Sequence, residues 1–334
     1  MSAMDPRTSA RFLLVGAHIW DTLIRPVDVI PPGQSSVLLE QAAMTPAGTA
    51  AGTAVALARL GAIVSTVGVV GDDLIGRLLL ETMAGEGVDV SHVRRDPTHP
   101  TSVSVLPIRS NGERPALHLP GANAALSLDD VPWDAVAAAD HVHIGGCDRL
   151  PAAAVSSMHD VLLRARAHGA VTSMDVIGPG TPEVLGQLRD QLPLVDWFIP
   201  NESQAMGLTG TDDEDAAGDA LLAAGAGNVV VTLGGKGARL FTPSERRDCP
   251  AIPVEAIDTT GCGDAYSATL FYSLSLGESV ESAMELAAAA GAIVASGLGS
   301  NANLVGFAQV RRLASRFFPR ASSPNPSPLE EQTR

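Results

Sequence analysis

Short aliphatic segments alternate with longer helical patterns along most of this 334-residue chain, and no other feature restricts its fold as strongly. The predicted strands are 12–15, 63–69, 141–144, 171–175, 197–199 and 229–233. The predicted helices are 49–60, 74–86, 152–168, 202–207, 212–225, 264–276 and 280–296. Strands that alternate with helices in this way indicate parallel strands joined by crossover helices. Because nearly continuous aliphatic strands indicate a sheet covered on both faces, we expect a three-layer α/β/α domain with a mostly parallel central sheet.

Two stretches of the chain interrupt this rhythm. Residues 22–46 and 97–122 alternate apolar and polar residues, with proline and glycine between them. This pattern is typical of antiparallel strands, and it predicts a small β lid beside the main sheet. In open α/β sheets, ligands bind at the carboxyl ends of the parallel strands. A lid over that edge could close on a substrate and exclude water.

The composition disfavours several classes of partner. The formal net charge is −15 and the pI about 4.8, so the surface repels nucleic acid and offers no cationic face to an anionic membrane. No apolar run approaches the about 18 residues that a transmembrane helix needs. Three cysteines in all disfavour a disulfide framework and indicate the reducing cytoplasm.

Residues 1–10 and 320–334 are predicted to be flexible tails, since the second is rich in proline and lacks an apolar period.

The most informative segment is 258–268, which reads DTTGCGDAYSA. It follows a strand-like run, turns through Gly261, Cys262 and Gly263, and begins a predicted helix at Asp264. Glycine lets backbone amides approach a ligand, and the N-terminus of a helix favours negative charge. The segment is therefore suited to a transferring phosphoryl group, with Asp264 placed to take a proton from an attacking hydroxyl. The spacing alone equally allows a helix N-cap after a tight turn.

Two further polar turns follow predicted strands. Asn201 and Glu202 come directly after one strand, and by themselves they are typical of a capped helix start. The segment TLGGKG at 232–237 follows another strand, where a plain glycine-rich turn is the simplest interpretation. The chain contains no Walker A segment, no GxSxG elbow and no GxGxxG turn after the first strand. The sequence therefore disfavours P-loop enzymes, α/β-hydrolases and dinucleotide-binding enzymes.

Taken together, these segments resemble the ribokinase (PfkB) family of carbohydrate kinases over roughly residues 11–316. The segment DTTGCGD matches the DTxGAGD signature of that family. The resemblance implies that Asp264 is the catalytic base and that the amides of Gly261, Cys262 and Gly263 form an anion hole. The family usually has alanine in place of Cys262. A helix N-terminus can lower a thiol pKa, so an oxidation-sensitive site is one alternative and a tolerated small residue the other.

The resemblance also implies how ATP and Mg²⁺ are bound. Asn201 and Glu202 match a segment that orders Mg²⁺ and its waters beside the phosphates in the family, and binding through water suits this metal. Thr232, Gly234 and Gly237 match a turn that lies along the phosphates and ribose of the nucleotide.

On the substrate side, Asp21 matches an aspartate that binds two sugar hydroxyls in the family. A carboxylate can accept hydrogen bonds from both hydroxyls of a vicinal diol, although a turn or cap residue is the alternative. The segment AGTAAGTA at 47–54 resembles the GGxxxNxA motif, in which Gly48 is retained and Gly52 replaces the asparagine. The usual contact to ribose or fructose is thus in doubt, and Gly52 could leave room for a larger substituent. Asn123 is expected either to touch the substrate or to close a turn of the lid.

Two properties follow from the resemblance alone. Ribokinases bind K⁺ beside the anion hole, and Asp258 and Thr260 are the matching residues here. Ribokinases also form homodimers through the exposed edges of their lid strands, which pairing between two copies would cover.

The sequence therefore predicts ATP-dependent phosphoryl transfer to a primary hydroxyl of a small sugar. The sugar is expected to be unphosphorylated, because no basic pair can be placed beside Asp21 from the sequence. A nucleoside kinase of the same fold is the first alternative. A catalytically silent sugar or nucleotide sensor is the second, and the presence of Asp264 between its glycines argues against it.

Overall fold

The computed structural model describes residues 10–319, so the predicted tails lie outside it apart from Ala10. The strands are β1 (Arg11–Gly16), β2 (Ile19–Arg25), β3 (Gln41–Ala47), β4 (Ile63–Gly71), β5 (Asp89–Asp96), β6 (Val103–Pro107), β7 (Leu117–Leu119), β8 (His141–Gly145), β9 (Val171–Met174), β10 (Trp197–Phe198), β11 (Asn228–Thr232), β12 (Ala238–Phe241) and β13 (Arg246–Cys249). The helices are α1 (Thr49–Leu60), α2 (Leu74–Gly85), α3 (Trp133–Ala138), α4 (Ala152–Ala167), α5 (Pro182–Gln187), α6 (Glu202–Thr209), α7 (Glu214–Ala223), α8 (Cys262–Ser275), α9 (Val280–Ala295) and α10 (Phe307–Phe317).

The central sheet has the strand order β13-β12-β11-β10-β9-β8-β1-β4-β5. All neighbours from β11 to β5 run parallel, whereas β12 and β13 form an antiparallel hairpin at one edge. Parallel strands place their carboxyl ends at one edge of the sheet, where a binding site is expected.

Helices cover both faces of this sheet. One apolar cluster joins the sheet to α1, α2, α8, α9 and α10, and a second joins it to α3, α4, α6 and α7. Small residues let α1 and α8 approach each other closely, since Ala50, Ala54, Ala265 and Ala268 are all fully buried. The predicted three-layer arrangement is confirmed. Within residues 10–319, no helix is both long enough and apolar enough to cross a membrane.

The lid is a separate four-stranded sheet with the order β3-β2-β6-β7. Its outer pairs are antiparallel as predicted, but the central pair β2 and β6 is parallel. The topology explains the difference, because β2 leaves the carboxyl end of β1 and β6 leaves the carboxyl end of β5, at the same edge of the main sheet. The lid stretches are also only partly strand, since residues 26–40 lie between β2 and β3 without regular structure.

Candidate active site

The turn at Gly261 places a helix N-terminus beside a cavity at the carboxyl edge of the sheet. Helix α8 begins at Cys262 with Gly261 as its N-cap at φ +76°, two residues earlier than predicted. A Cβ on Gly261 would lie 2.8 Å from Ser300 Cα, so glycine is required there. No side chain of the described residues caps this helix, which leaves first-turn amides available to an anion. The preceding residues 251–257 form no strand, because they include a proline, which cannot donate to a ladder.

Asp264 lies in the first turn of α8 and lines a cavity of about 460 Å³ with 9% of its surface exposed. Burial, together with the charges of Asp175 and Asp21, raises the pKa of this carboxyl to about 8, and the charge of Arg114 opposes them. A base with a pKa close to neutral accepts a proton more readily than an ordinary aspartate does. The environment of Asp264 therefore suits proton transfer.

Gly52 on α1 lies directly against this carboxyl group. A Cβ built on Gly52 would lie 2.3 Å from Asp264 Oδ2. The carbonyl of Gly52 also accepts a hydrogen bond from Asn301 Nδ2 at 2.9 Å. The space that was expected to admit a larger substrate substituent is thus filled by Asp264. This geometry gives Gly52 a role in positioning the carboxylate.

Asp21 on β2 lines the same cavity, so the lid brings a second carboxylate towards the N-terminus of α8. Burial raises its pKa to about 6, opposed by a hydrogen bond with Ser104 and by the charge of Arg114. Thr49 Oγ1 and Ser300 Oγ are buried beside this cavity, and neither has a hydrogen-bond partner among residues 10–319. A hydroxylated ligand would supply the missing partners.

The other two residues predicted to contact substrate differ in position. Gly48 lines the cavity at φ +82°, where a Cβ would lie 2.5 Å from the carbonyl oxygen of Ala17. Asn123 does not line the cavity. Its Oδ1 accepts from the backbone amide of His18 and its Nδ2 donates to the carbonyl of the same residue, both at 3.0 Å. The buried amide of Asn123 therefore fixes the turn after β1, which is the turn alternative.

A second cavity of about 380 Å³ adjoins the first, and both are lined by Thr232, Thr259 and Gly263. Gly234 and Gly237 also line it, and apolar residues that precede α8 or lie on α9 supply much of the remaining wall. An apolar cleft next to a helix N-terminus fits a flat base attached to a phosphate chain.

Asn201 and Glu202 lie at the start of α6. Asn201 lines the first cavity and is the N-cap of α6, in a reciprocal capping box with Gln204. Glu202 is partly exposed and accepts a hydrogen bond from Lys236 Nζ at 2.8 Å, which lowers its pKa. Water can reach this carboxylate, so it fits a metal bound through water molecules. No three metal-ligating side chains gather among residues 10–319.

Asp258 and Thr260 form a rigid turn before α8. Asp258 is buried, and its Oδ1 accepts from the backbone amide and the hydroxyl of Thr260 at 2.9 and 2.7 Å. Its Oδ2 accepts from the amide of Gly299 at 3.0 Å. These bonds tie the turn to the loop that follows α9.

Burial decides the chemistry of Cys262. Together with the charge of Asp258, it raises the pKa of the thiol to about 12. The Sγ atom donates to the carbonyl of Gly291 at 3.5 Å. The lowered pKa that a helix N-terminus could give is therefore outweighed, and the thiol stays protonated at physiological pH.

Three charged residues of the first cavity were missed by the sequence analysis. Asp175 follows β9 and accepts from the amide of Gly146 at 2.7 Å. Arg114 comes from the lid loop before β7 and donates from Nε to Thr259 Oγ1 at 3.0 Å, and Arg149 follows β8. The position of Asp175 at the end of a predicted strand was a usable signal, whereas neither arginine belongs to a recognisable motif.

The three-layer fold, the strand lid and the shared cavity define a ribokinase-like kinase, a class of enzymes that phosphorylate alcohols. The pattern of the pfkB family carbohydrate kinases matches residues 11–305. A fructokinase of Klebsiella pneumoniae is 32% identical, with 78% of this chain and 85% of that protein covered. An ATP-dependent ribose-1-phosphate kinase of Halopiger xanaduensis is 29% identical over 92% and 99% of the two chains. The structure of Arabidopsis thaliana ribokinase complexed with ribose and ATP has a TM-score of 0.78 at 26% identity, covering 92% of this chain and 99% of that one.

The chain therefore belongs to the PfkB family of carbohydrate kinases, and it is an ATP-dependent kinase of sugars.

Proposed function

We propose that this sugar kinase phosphorylates a primary hydroxyl and that Asp264 removes the proton of that hydroxyl. The observation that carries the proposal is the position of Asp264, whose buried carboxyl shares one cavity with the amides at the start of α8 and with Asp21. As the sugar oxygen bonds to the γ-phosphorus, the bond to the departing ADP breaks and Asp264 accepts the proton. The amides of Gly261, Cys262 and Gly263 stabilise the charge on the transferred group.

The nucleotide fits the second cavity. Its base would lie on the apolar wall, and Thr232, Gly234 and Gly237 would contact the ribose and phosphates. Asn201 and Glu202, at the start of α6, would hold the waters of a Mg²⁺ ion. Bound there, the metal would supply positive charge to the phosphate oxygens. For this role, the carboxylate of Glu202 must exchange at least part of its contact with Lys236.

Asp21 would orient the acceptor. Its carboxylate is buried under the lid and can accept hydrogen bonds from two neighbouring hydroxyls, while the unpartnered oxygens of Thr49 and Ser300 bond to others. The turn at Gly48 lets the backbone approach the sugar closely.

A monovalent cation site is a further part of the proposal, by resemblance. Asp258 and Thr260 match the residues beside which ribokinases bind K⁺, and Asp258 accepts from the amide of Gly299, next to Ser300, whose hydroxyl has no partner among residues 10–319. Equal turnover in saturating K⁺ and in Na⁺ alone would contradict activation.

We also propose a homodimer formed through the lid. The strands at both edges of the lid sheet carry exposed apolar side chains, Met44 on β3 and Leu117 and Leu119 on β7. A second copy would cover them. A monomeric mass by light scattering at micromolar concentration would refute this assembly.

The cytoplasm is the proposed location of the enzyme. Cys147, Cys249 and Cys262 are all free thiols, as expected in a reducing compartment. A fluorescent fusion found outside the cytoplasm would contradict the assignment.

The decisive experiment on the mechanism replaces Asp264 with asparagine and measures ADP release with a panel of sugars and nucleosides. Loss of a general base costs about 10²- to 10⁴-fold in turnover, while ATP binding should be retained because asparagine has the same shape. The exposed Asp212 provides a matched control, and Asp212→Asn should behave as wild type. Turnover by Asp264→Asn within threefold of wild type would refute the assignment.

A further inference from the structure

Two arginines enter the cavity from segments that are far apart in the chain. Arg114 belongs to the lid loop before β7, and Arg149 follows β8 in the main domain, yet both line the cavity that contains Asp21 and Asp264. The sequence offered no basic pair beside Asp21, and the fold assembles one. The chain has a formal net charge of −15, and Asp21, Asp175 and Asp264 line the same cavity, so an anionic ligand there would need direct contact with the two cations.

Arg149 keeps most of its hydrogen-bonding capacity for a ligand. The carboxylate of Asp148 accepts from the amides of Ile177 and Gly178 at 2.7 and 2.8 Å. The Arg149 Nε atom lies 3.6 Å from Asp148 Oδ2, too far for a strong hydrogen bond. Because a guanidinium group carries five N–H donors, Arg149 can still bind an anion through two of them.

Ser104 and His118 line the same cavity as Arg149 and the proposed sugar-binding carboxylate, Asp21. A hydrogen bond between Ser104 and Asp21 lowers the pKa of Asp21, and Ser104 Oγ also lies 3.1 Å from His118 Nδ1. Burial lowers the pKa of His118, and the positive charge of Arg149 lowers it as well. A single ligand can therefore place hydroxyls against Asp21 and an anionic group against Arg149.

The arginines do not simply neutralise the carboxylates of the cavity. In the part of the chain that the structure describes, no ion pair within 4 Å joins either arginine to Asp21, Asp175 or Asp264. Arg114 makes one hydrogen bond, to the hydroxyl of Thr259, and its charge acts on Asp21 and Asp264 without direct contact, so its other N–H groups remain available to a ligand. Planar guanidinium groups match the geometry of phosphate and carboxylate oxygens.

We propose that the acceptor is a sugar that already carries an anionic group, a phosphate or a carboxylate, bound by Arg149 together with Arg114. This inference rests on the proposed function, because it names the acceptor of that same site. The transfer needs no further reactant: the free hydroxyl gains the phosphoryl group of ATP, and the first anionic group is retained. The product of a sugar phosphate would be a bisphosphate.

The test compares neutral pentoses and hexoses with their monophosphates and with the corresponding sugar acids, using ADP release. We expect kcat/KM for at least one anionic acceptor to exceed that of its neutral parent by about 100-fold or more, because a buried pair of opposite charges can contribute that much to binding. The phosphate and acid arms identify which anion is bound. Arg149→Gln should raise KM for the anionic acceptor by about 30-fold or more and leave the KM for ATP unchanged. Arg312→Gln, at an exposed position on α10, removes the same charge and should change neither constant.

Arg114→Gln separates two roles of the lid arginine. If Arg114 binds the acceptor anion, KM rises for anionic acceptors alone. If it contacts the transferred phosphoryl group, kcat falls for every acceptor, and binding of the anion by the pair is overturned.

A neutral sugar used at least as well as its phosphate and acid, with unchanged selectivity in Arg149→Gln, would overturn this inference and leave the proposed function intact. Failure of wild-type protein to phosphorylate any acceptor would overturn both.

Discussion

Gly52→Ala tests whether the position of one carboxylate limits catalysis. Gly52 is a buried residue of α1, and the added methyl group would lie 2.3 Å from Asp264 Oδ2, where ordinary contacts begin at 3.4 Å. The carboxyl group must therefore move by about 1 Å, since the backbone of α1 is fixed by its packing. A displacement of about 1 Å at a reacting group can cost about 100-fold in rate.

Stability should change much less than turnover. Alanine improves helix propensity by about 1 kcal/mol over glycine, while overpacking costs about 1–3 kcal/mol. These contributions have opposite sign, so the free energy of unfolding should change by no more than about 2 kcal/mol. We expect kcat to fall about 100-fold while the protein remains folded and still binds ATP.

The assay is steady-state ADP release, with thermal unfolding followed on the same preparations. Gly186→Ala is the matched control, because Gly186 also lies within a helix and its added Cβ meets no atom within 4 Å. Gly186→Ala should retain full activity. If Gly52→Ala also retained more than a third of wild-type kcat, the contact between Gly52 and Asp264 would have no catalytic importance.

Two further predictions concern side chains at the start of α8. Because burial raises the pKa of Asp264 from 3.8 to about 8, kcat/KM should rise with pH up to about 8. Between pH 4 and pH 8 the folded protein holds a proton on Asp264 that the unfolded chain has lost, so the free energy of unfolding should fall as the pH rises through this range. The melting temperature of Asp264→Asn relative to wild type should therefore be higher at pH 9 than at pH 5, and a pH-independent difference would contradict the assigned pKa. Cys262→Ala should keep turnover within about threefold, and iodoacetamide at pH 8 should not inactivate wild-type protein, because the thiol pKa is about 12; rapid inactivation that Cys262→Ala abolishes would show a reactive thiolate.

The main-sheet strands that the sequence predicted are the ones buried on both faces. Aliphatic runs such as those of β1 and β8 satisfy two apolar layers at once, and their bounds agree with prediction to within one residue at each end. Three strands of the main sheet were missed. The edge strands β5 and β13 have largely charged sequences, DVSHVRRD and RRDC, and charged residues are common on edge strands, where they oppose pairing with other chains. The third, β12, is an interior strand of only four residues, ARLF, interrupted by an arginine. A search for aliphatic runs therefore finds the parallel interior of such a sheet and not its antiparallel hairpin or its borders.

The lid could be located from the sequence but not fully assembled. Alternating polarity marks strands that are half buried, yet it carries no information on which strands pair or in which direction. The parallel pairing of β2 and β6 joins residues about 80 positions apart in the chain, and its register sets Asp21 beside Ser104. That long-range pairing brings the hydroxyl of Ser104 to Asp21.

The residues of the active site also fall into those that local sequence could locate and those that only the fold brings together. Asp264 and the amides around Cys262 are neighbours in the chain, so local spacing was sufficient to find them. Arg114, Arg149 and Asp175 reach the same cavity from a lid loop and from the ends of two strands. Their convergence depends on strand order, which no local pattern records. Local patterns therefore located Asp264, Asp21 and Gly48 in the cavity, but not the charged residues that meet them there.

The site also concentrates features that are individually unfavourable for stability. Asp264 is a buried carboxyl group beside the charges of Asp175 and Asp21. Asn301, which holds the carbonyl of Gly52, adopts φ +61° and has a buried Oδ1 with no hydrogen-bond partner among residues 10–319. Two apolar clusters on the faces of the sheet offset these costs. Because the strained residues all converge on one carboxylate, relieving any of them should cost more in turnover than it gains in stability.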